Sequence, residues 1–149
     1  MRDISSWAYD YAAGKVDIID NRAKGVACYD LRYTFVEKLQ TVSTKFRRQQ
    51  ESGDSPVEFM RHYYDVYSLL QRADVQDFIG TDEYKAHKAK RFPRADNQNI
   101  AQNEAFIISD PATRKTYEEA FAASGALYFG TKPSFDQILG EIRKWIDRL

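Results

Sequence analysis

Apolar residues recur at helical spacing through most of the chain. In the segment TFVEKLQTVSTKFRRQQ they form one stripe, made of Phe35, Leu39, Val42 and Phe46. Spacings of three and four residues are typical of an amphipathic α-helix that packs on a core. Thr34 precedes the stripe and Glu37 follows three residues later, the arrangement of a capping box. We therefore expect a helix that begins at Thr34.

A second amphipathic segment follows the polar stretch ESGDS. Ser55 is a suitable N-cap, Pro56 suits the first helical position, and Glu58 suits the third. We expect this helix to run to about Arg72. Its apolar stripe consists of Phe59, Tyr63, Val66 and Leu70.

Shorter segments complete a mainly helical pattern. We expect helices at 4–14, 74–79, 81–92, 111–123 and 135–149, with N-caps at Thr81, Asp110 and Ser134. The runs VDIID and VACYD are β-prone and predict short strands. The amide-rich segment 93–103 has few apolar residues and predicts a mobile loop. The fold class expected is mainly α: a single multi-helix domain over residues 1–149, with one or two short β-strands near the N-terminus.

Composition excludes several classes of protein. The 149 residues contain 22 basic and 22 acidic side chains, so the chain has no overall attraction to nucleic acid or to anionic membranes. A single cysteine, Cys28, cannot form an internal disulfide. No leader peptide and no long apolar span is present in the sequence. We expect a cytoplasmic protein that does not enter a membrane.

Three polar residues lie beside the apolar stripes of the two best-defined helices. At about 100° per residue, Lys38 lies roughly 60° from the first stripe, and His62 and Asp65 lie roughly 60° and 120° from the second, on one flank. Two packed helices could bring Lys38 and Asp65 together at the rim of their interface. A surface ion pair beside a histidine at a helix contact would produce the same pattern, so spacing alone leaves both interpretations open.

The two helices also carry a family resemblance. TFVEKL, at residues 34–39, and RHYYDVYSLL, at residues 61–70, resemble the C-terminal half of AbiEii/AbiGii-type nucleotidyltransferase toxins. EYKAHKAKRF and PSFDQILGEI are similar to later parts of the same family. The resemblance implies kinship with DNA polymerase β-type transferases, in which the lysine of the first motif holds nucleotide phosphates and the aspartate of the second lines the same cleft.

These roles fall on Lys38 and Asp65 as the catalytic candidates, with Arg61 and His62 as substrate-binding neighbours. The one basic concentration in the sequence adds three further candidates for phosphate contacts: Lys85, Lys88 and Arg91. A solvated helix face would give the same run of charges, and both readings stay open.

The metal-binding motifs of the family have no counterpart in these residues. The chain contains no Gly-Gly, no Gly-Ser and no D-x-D. The closest pairs are Asp17 with Asp20 and Asp74 with Asp77, whose spacing does not place both side chains on one side of a strand. We therefore expect no metal ligand in this chain and no activity by the chain alone.

For the complete enzyme the resemblance implies Mg²⁺ and a nucleoside triphosphate, with RNA such as tRNA as the acceptor. The partners it implies are an antitoxin and an N-terminal half that carries the missing motifs, and a homodimer is also possible. The alternative is a non-catalytic helical module that binds RNA or a protein partner.

Overall fold

A computed structural model of the protein describes residues 1–125 and 131–149. Backbone contacts divide the chain into two compact units, Met1–Asp30 and Leu31–Leu149. The first unit is built on a pair of short strands and the second is helical.

The N-terminal unit consists of strand β1 (Arg2–Ile4), helix α1 (Trp7–Ala12) and strand β2 (Ala23–Val26). The strands pair antiparallel, and their register shifts by one residue between the two ends of β1. Gly25 adopts a φ of +62° within β2, a conformation that glycine tolerates and that accommodates the shift. Helix α1 contains no buried residue. This unit therefore has pairing but no apolar core.

The helical unit contains seven α-helices in the described residues. Two 3₁₀ turns, Val57–Phe59 and Ile100–Gln102, connect parts of it. The helices are α2 (Leu31–Ser52), α3 (Met60–Leu70), α4 (Ala73–Phe78), α5 (Asp82–Arg91), α6 (Glu104–Ile107), α7 (Pro111–Ala123) and α8 (Phe135–Trp145). This architecture confirms the mainly α fold class with short strands near the N-terminus.

The core of the helical unit surrounds α2, which packs against α3, α4, α5 and α6. Both predicted stripes are buried, from Phe35 to Phe46 on α2 and from Phe59 to Leu70 on the turn and helix that follow. Tyr63 is fully buried and its hydroxyl donates to the carbonyl oxygen of Ala105 at 2.7 Å. The periodicity thus identified the inner face of both helices.

Several predicted boundaries are confirmed and others are wrong. Thr81, Asp110 and Ser134 cap their helices as expected, and Ser134 completes a capping box with Gln137. Helix α2 instead begins at Leu31, which places Thr34 inside the helix, where it cannot be an N-cap. Both strand predictions are wrong in position: VDIID is not a strand, and the strand that pairs with β1 is Ala23–Val26, which shares only Val26 with VACYD.

The loop 93–103 is held in place by polar contacts with α2. The carboxylate of Asp96 is fully buried, accepts a 2.7 Å bond from Arg47 Nε and also bonds to the hydroxyl of Thr44. Asn103 is buried and donates to Ser43 Oγ at 2.8 Å. The segment contains the 3₁₀ turn Ile100–Gln102, and Ile100 is fully buried, so both specific hydrogen bonds and an apolar contact attach it to the helical unit.

Candidate functional site

The candidate site lies where α2 and α3 pack side by side. Lys38 Nζ donates to Asp65 Oδ2 at 2.7 Å. The two side chains are partly exposed, at 24% and 31%. Lys38 and Asp65 therefore lie on neighbouring helices and point toward each other, as the stripe geometry predicted, and both keep surface that a ligand can reach.

His62 completes this group. Its Nδ1 lies 3.3 Å from Lys38 Nζ and 3.6 Å from Asp65 Oδ2. A lysine ammonium has three N–H donors, and Lys38 uses one of them for the carboxylate of Asp65. This bond orients the lysine side chain beside His62 and leaves N–H donors for a ligand.

The electrostatics keep the aspartate ionised. Partial burial raises the pKa of Asp65, but the neighbouring His62 and Lys38 outweigh this effect and the pKa is lowered below its ordinary value of 3.8. A carboxylate in this state orients Lys38 without sharing a proton with it. The site therefore presents a positioned cation at neutral pH.

Arg61 is exposed on α3, one helical turn before Asp65. Residues four positions apart face the same side of a helix, so its guanidinium adds a positive charge on the side that carries Asp65. It forms no hydrogen bond or ion pair with the residues that the structure describes. Its five N–H donors are available to an anion.

The basic residues predicted on α5 do not join this group. Arg91 Nε lies 3.3 Å from Glu37 Oε1, and Glu37 precedes Lys38 on α2 and so faces a direction about 100° away. Lys85 is exposed and lies 3.8 Å from the carboxylate of Asp82 on its own helix. These side chains are tied to α2 and α5 and lie apart from the group at Lys38.

Lys88 differs from its neighbours because it is buried. Its ammonium donates to the main-chain oxygen of Leu149 at 2.7 Å. It lies 5.7 Å from the centre of the Tyr84 ring. Burial lowers the pKa of Lys88 to about 8. The structure places Lys88 in the interior of the helical unit, away from the solvated helix face on which a substrate contact was expected.

Glu37 is a site-flanking residue that sequence reasoning treated only as a cap. Besides Arg91, it lies 3.8 Å from His87 Nε2, a buried nitrogen with no hydrogen-bond partner among the described residues. The signal that could have found it is its position immediately before Lys38, which directs the two side chains to adjoining flanks of α2.

A Mg²⁺ ion does not fit the residues of the candidate site. Asp65 is the carboxylate that faces Lys38, and the lysine ammonium 2.7 Å from it opposes a second cation. Over residues 1–125 and 131–149, no group of three or more histidine, cysteine, aspartate or glutamate side chains could hold a metal ion. One member of each aspartate pair considered in the sequence analysis, Asp17 with Asp20 and Asp74 with Asp77, forms an ion pair elsewhere. Asp20 pairs with Arg22, and Asp74 pairs with Arg72.

Among the described helices, none has the length and apolar character needed to cross a membrane.

Comparison with known proteins identifies one family. The family model described as "Nucleotidyl transferase AbiEii toxin, Type IV TA system" matches residues 11–141, which is most of the chain and includes both site helices. No curated protein and no solved structure matches the chain.

Proposed function

The chain belongs to the AbiEii nucleotidyltransferase toxin family of type IV toxin–antitoxin systems, and on that basis we propose that the face bearing Lys38 and Asp65 binds a nucleoside triphosphate for transfer to RNA. The observation that carries the proposal is the 2.7 Å bond between these two side chains, with His62 Nδ1 3.3 Å from the lysine ammonium. In this proposal Lys38 contacts the phosphates and Asp65 positions Lys38.

The chemistry of nucleotide transfer suits such a group. Phosphoryl and nucleotidyl transfer depend mainly on aligned reactants and on cations that offset charge on the phosphate oxygens. A cation that a carboxylate already orients has less to reorganise when the nucleotide binds. Arg61 is a second cation on the same side and can bind phosphate oxygens through two N–H groups.

We assign the metal platform to another part of the complete enzyme. Mg²⁺ supplies charge neutralisation and alignment of the phosphates when it is bound, and the residues at Lys38 do not fit it. An N-terminal half with Gly-Ser and D-x-D motifs would contribute those carboxylates. The large apolar side chains exposed in the N-terminal unit support such a partner, since Trp7 is 81% exposed and Ile19 is 89% exposed.

Membership of the family implies an antitoxin partner. We propose RNA such as tRNA as the acceptor, and we keep the homodimer as another way to cover the exposed apolar residues of the N-terminal unit. A non-catalytic RNA- or protein-binding module remains the competing proposal, and it requires no role for Lys38 in transfer.

The experiment that tests the proposal measures transfer of labelled nucleotide to total tRNA with Mg²⁺. We expect no transfer by the 149-residue chain alone, because loss of the metal platform should remove most of an enhancement that is typically 10⁶-fold or more. Addition of a family N-terminal half with Gly-Ser and D-x-D should restore transfer. Lys38→Ala or Asp65→Ala should then abolish it, while circular dichroism shows an unchanged fold.

A matched control is Lys115→Ala, which removes an exposed lysine on α7, far along the chain from the candidate site. Its restored activity should equal that of the unmodified chain. Robust transfer by the isolated chain would contradict the assignment of the metal site. Restored activity that is indifferent to Lys38→Ala and Asp65→Ala would favour the non-catalytic module.

A further inference from the structure

Most cations of the helical unit are already engaged by carboxylates or main-chain oxygens, and the exceptions are not scattered. Among the described residues after Asp30, a few lysines and arginines form no hydrogen bond, no ion pair and no ring contact: Lys45, Arg48, Arg61, Lys90 and Arg94. The first three lie on α2 and α3, the helices of the candidate site.

These three cations extend outward from the candidate site. Lys45 and Arg48 lie seven and ten residues after Lys38 on α2. At about 100° per residue, their side chains point about 20° and about 80° away from the direction of Lys38 around the helix axis. At about 1.5 Å per residue the row is roughly 15 Å long. Arg61 adds a charge from α3, between Glu58, which lies beside Lys45 and Arg48, and Asp65, which bonds to Lys38.

The far end of the row opens into a shallow depression between α2 and the start of α3. Lys45 and Arg48 line it together with Gln49 and Ser52, whose side chains bond to the main chain of Asp54. Glu58 and Asp54 line the same depression, but neither comes within 4 Å of the lysine or arginine nitrogens. Lys45 and Arg48 therefore form no ion pair with these two carboxylates, although the two negative charges lower the positive electrostatic potential of the depression.

We infer that Lys45, Arg48 and Arg61 form an electrostatic track that binds the phosphodiester backbone of RNA and leads it to the Lys38–Asp65 site. The inference rests on the proposed function, because an RNA strand has to reach Lys38 only if Lys38 contacts the nucleotide that is transferred. Unpaired lysines and arginines in a row suit a chain of phosphates, whose charge repeats along the strand and carries no demand for base contacts.

A protein partner is less well matched to this surface. Protein interfaces depend on apolar or aromatic anchors in a desolvated centre. The exposed large apolar side chains of the described residues all lie within residues 1–29, and Phe59 in the depression is only 6% exposed. The basic segment of α5 is also less suitable for RNA, because Arg91 faces Glu37 and Lys88 is buried.

The test compares two triple variants of the 149-residue chain that remove the same charge. One is Lys45→Gln, Arg48→Gln, Arg61→Gln. The other replaces exposed cations of α7 and α8, as Lys115→Gln, Arg143→Gln, Lys144→Gln. Binding to a fluorescently labelled single-stranded RNA is measured by anisotropy between 50 and 200 mM salt.

We expect the track variant to bind more weakly and to lose about 2 from the slope of log affinity against log salt, since each phosphate contact in single strands contributes about 0.7. Between 50 and 200 mM salt, the track variant should therefore lose affinity by a factor about 20 times smaller than the factor for the unmodified chain. The α7–α8 variant should retain the full slope. Equal losses in both variants would show nonspecific attraction by net charge and would overturn the inference.

A gain-of-binding variant makes the test independent of losses through misfolding. Glu58→Gln removes an exposed carboxylate from the depression and should strengthen RNA binding about twofold to fivefold, the range for one exposed charge.

A polyglutamate peptide of the same net charge as the RNA should bind weakly to the unmodified chain. Polyglutamate binding that matches RNA and depends on the track would assign the surface to an acidic protein instead.

The same assays separate the two proposals. RNA binding that requires the track, in a protein whose restored transfer ignores Lys38→Ala, would sustain the track as an RNA surface and remove the proposed transfer function. If restored transfer requires Lys38 but RNA binding is unchanged in the track variant, the transfer function is supported and the track is overturned.

Discussion

Two of the ion pairs on helix α2 differ in their surroundings. Lys38 meets Asp65 at a rim where both side chains are partly exposed and a histidine lies beside them. Further along, Arg47 meets Asp96, whose carboxylate is fully buried and also bonds to Thr44. The first arrangement leaves donors accessible to a ligand, whereas the second uses its polar groups to hold a loop on the helix.

The contrast separates two uses of the same chemistry. A buried carboxylate with complete hydrogen bonding is costly to disrupt, because any lost partner leaves a charge or hydroxyl unsatisfied in the interior. A half-exposed pair contributes little to stability, and its geometry is better explained by what it presents to solvent. Distances alone do not distinguish them, since both pairs are 2.7 Å long.

The largest expected effect on stability comes from the buried pair. Asp96→Ala should lower the free energy of unfolding by roughly 2–4 kcal/mol, because it removes charged hydrogen bonds and releases the loop 93–103. Urea denaturation followed by circular dichroism measures the change. RNA binding by the folded fraction should be unaffected. A loss below about 0.5 kcal/mol would contradict the view that this pair anchors the loop.

The next effect concerns Lys88, a buried cation whose ammonium donates to the main-chain oxygen of Leu149. Its pKa is about 8 in the folded protein, against an ordinary value of 10.5. Between these values the unfolded chain binds the proton and the folded chain does not, so stability should rise with pH. We expect the unfolding free energy to gain on the order of 1–2 kcal/mol from pH 8 to pH 10, relative to Lys88→Met.

Chemical denaturation at intervals of half a pH unit checks this expectation, and Lys85→Met is the control because Lys85 is exposed on the same helix. A pH profile of Lys88→Met that parallels the unmodified chain would show that Lys88 titrates as a solvated lysine. That result would return Lys88 to the set of residues available for phosphate contacts.

The smallest effect is expected at the half-exposed pair. The folded-state pKa of Asp65 is lowered, so the pair contributes stability that is present above the ordinary value of 3.8 and is lost as the pH falls below it. Asp65→Asn should therefore change stability by less than about 1 kcal/mol at pH 7 and should flatten the acid limb slightly. Acid titration of unfolding measures both quantities. A larger change would make Asp65 a structural residue like Asp96.

The sequence was sufficient to predict the half-exposed pair and insufficient for the buried one. Helical periodicity fixes the direction of Lys38 and Asp65 relative to their apolar stripes, and two adjacent amphipathic helices with a short connection tend to pack together. Asp96 lies in a segment without a period, and its partners Thr44 and Arg47 are 52 and 49 residues away in the chain. Contacts of that kind depend on the path of a loop, which no repeating pattern encodes.

Two other errors have local causes. Lys88 was grouped with its basic neighbours, but it lies four residues after the buried Tyr84 and so shares the inward face of α5. The position of Thr34 suggested a cap, yet the helix continues to Leu31, because a capping-box pattern inside a helix reads the same as one at its start. In both cases the spacing to buried residues was more informative than residue type.

The central position of α2 also determines which backbone amides should exchange their hydrogens with solvent last. Backbone amides exchange their hydrogens through local openings wherever few contacts must break, and only through global unfolding where many elements pack together. Helix α2 packs on four other helices, whereas α1 buries none of its residues. The amides of α2 beside Leu39 and Val42 should therefore exchange last, at rates set by complete unfolding, and those of α1 should exchange within the earliest time points.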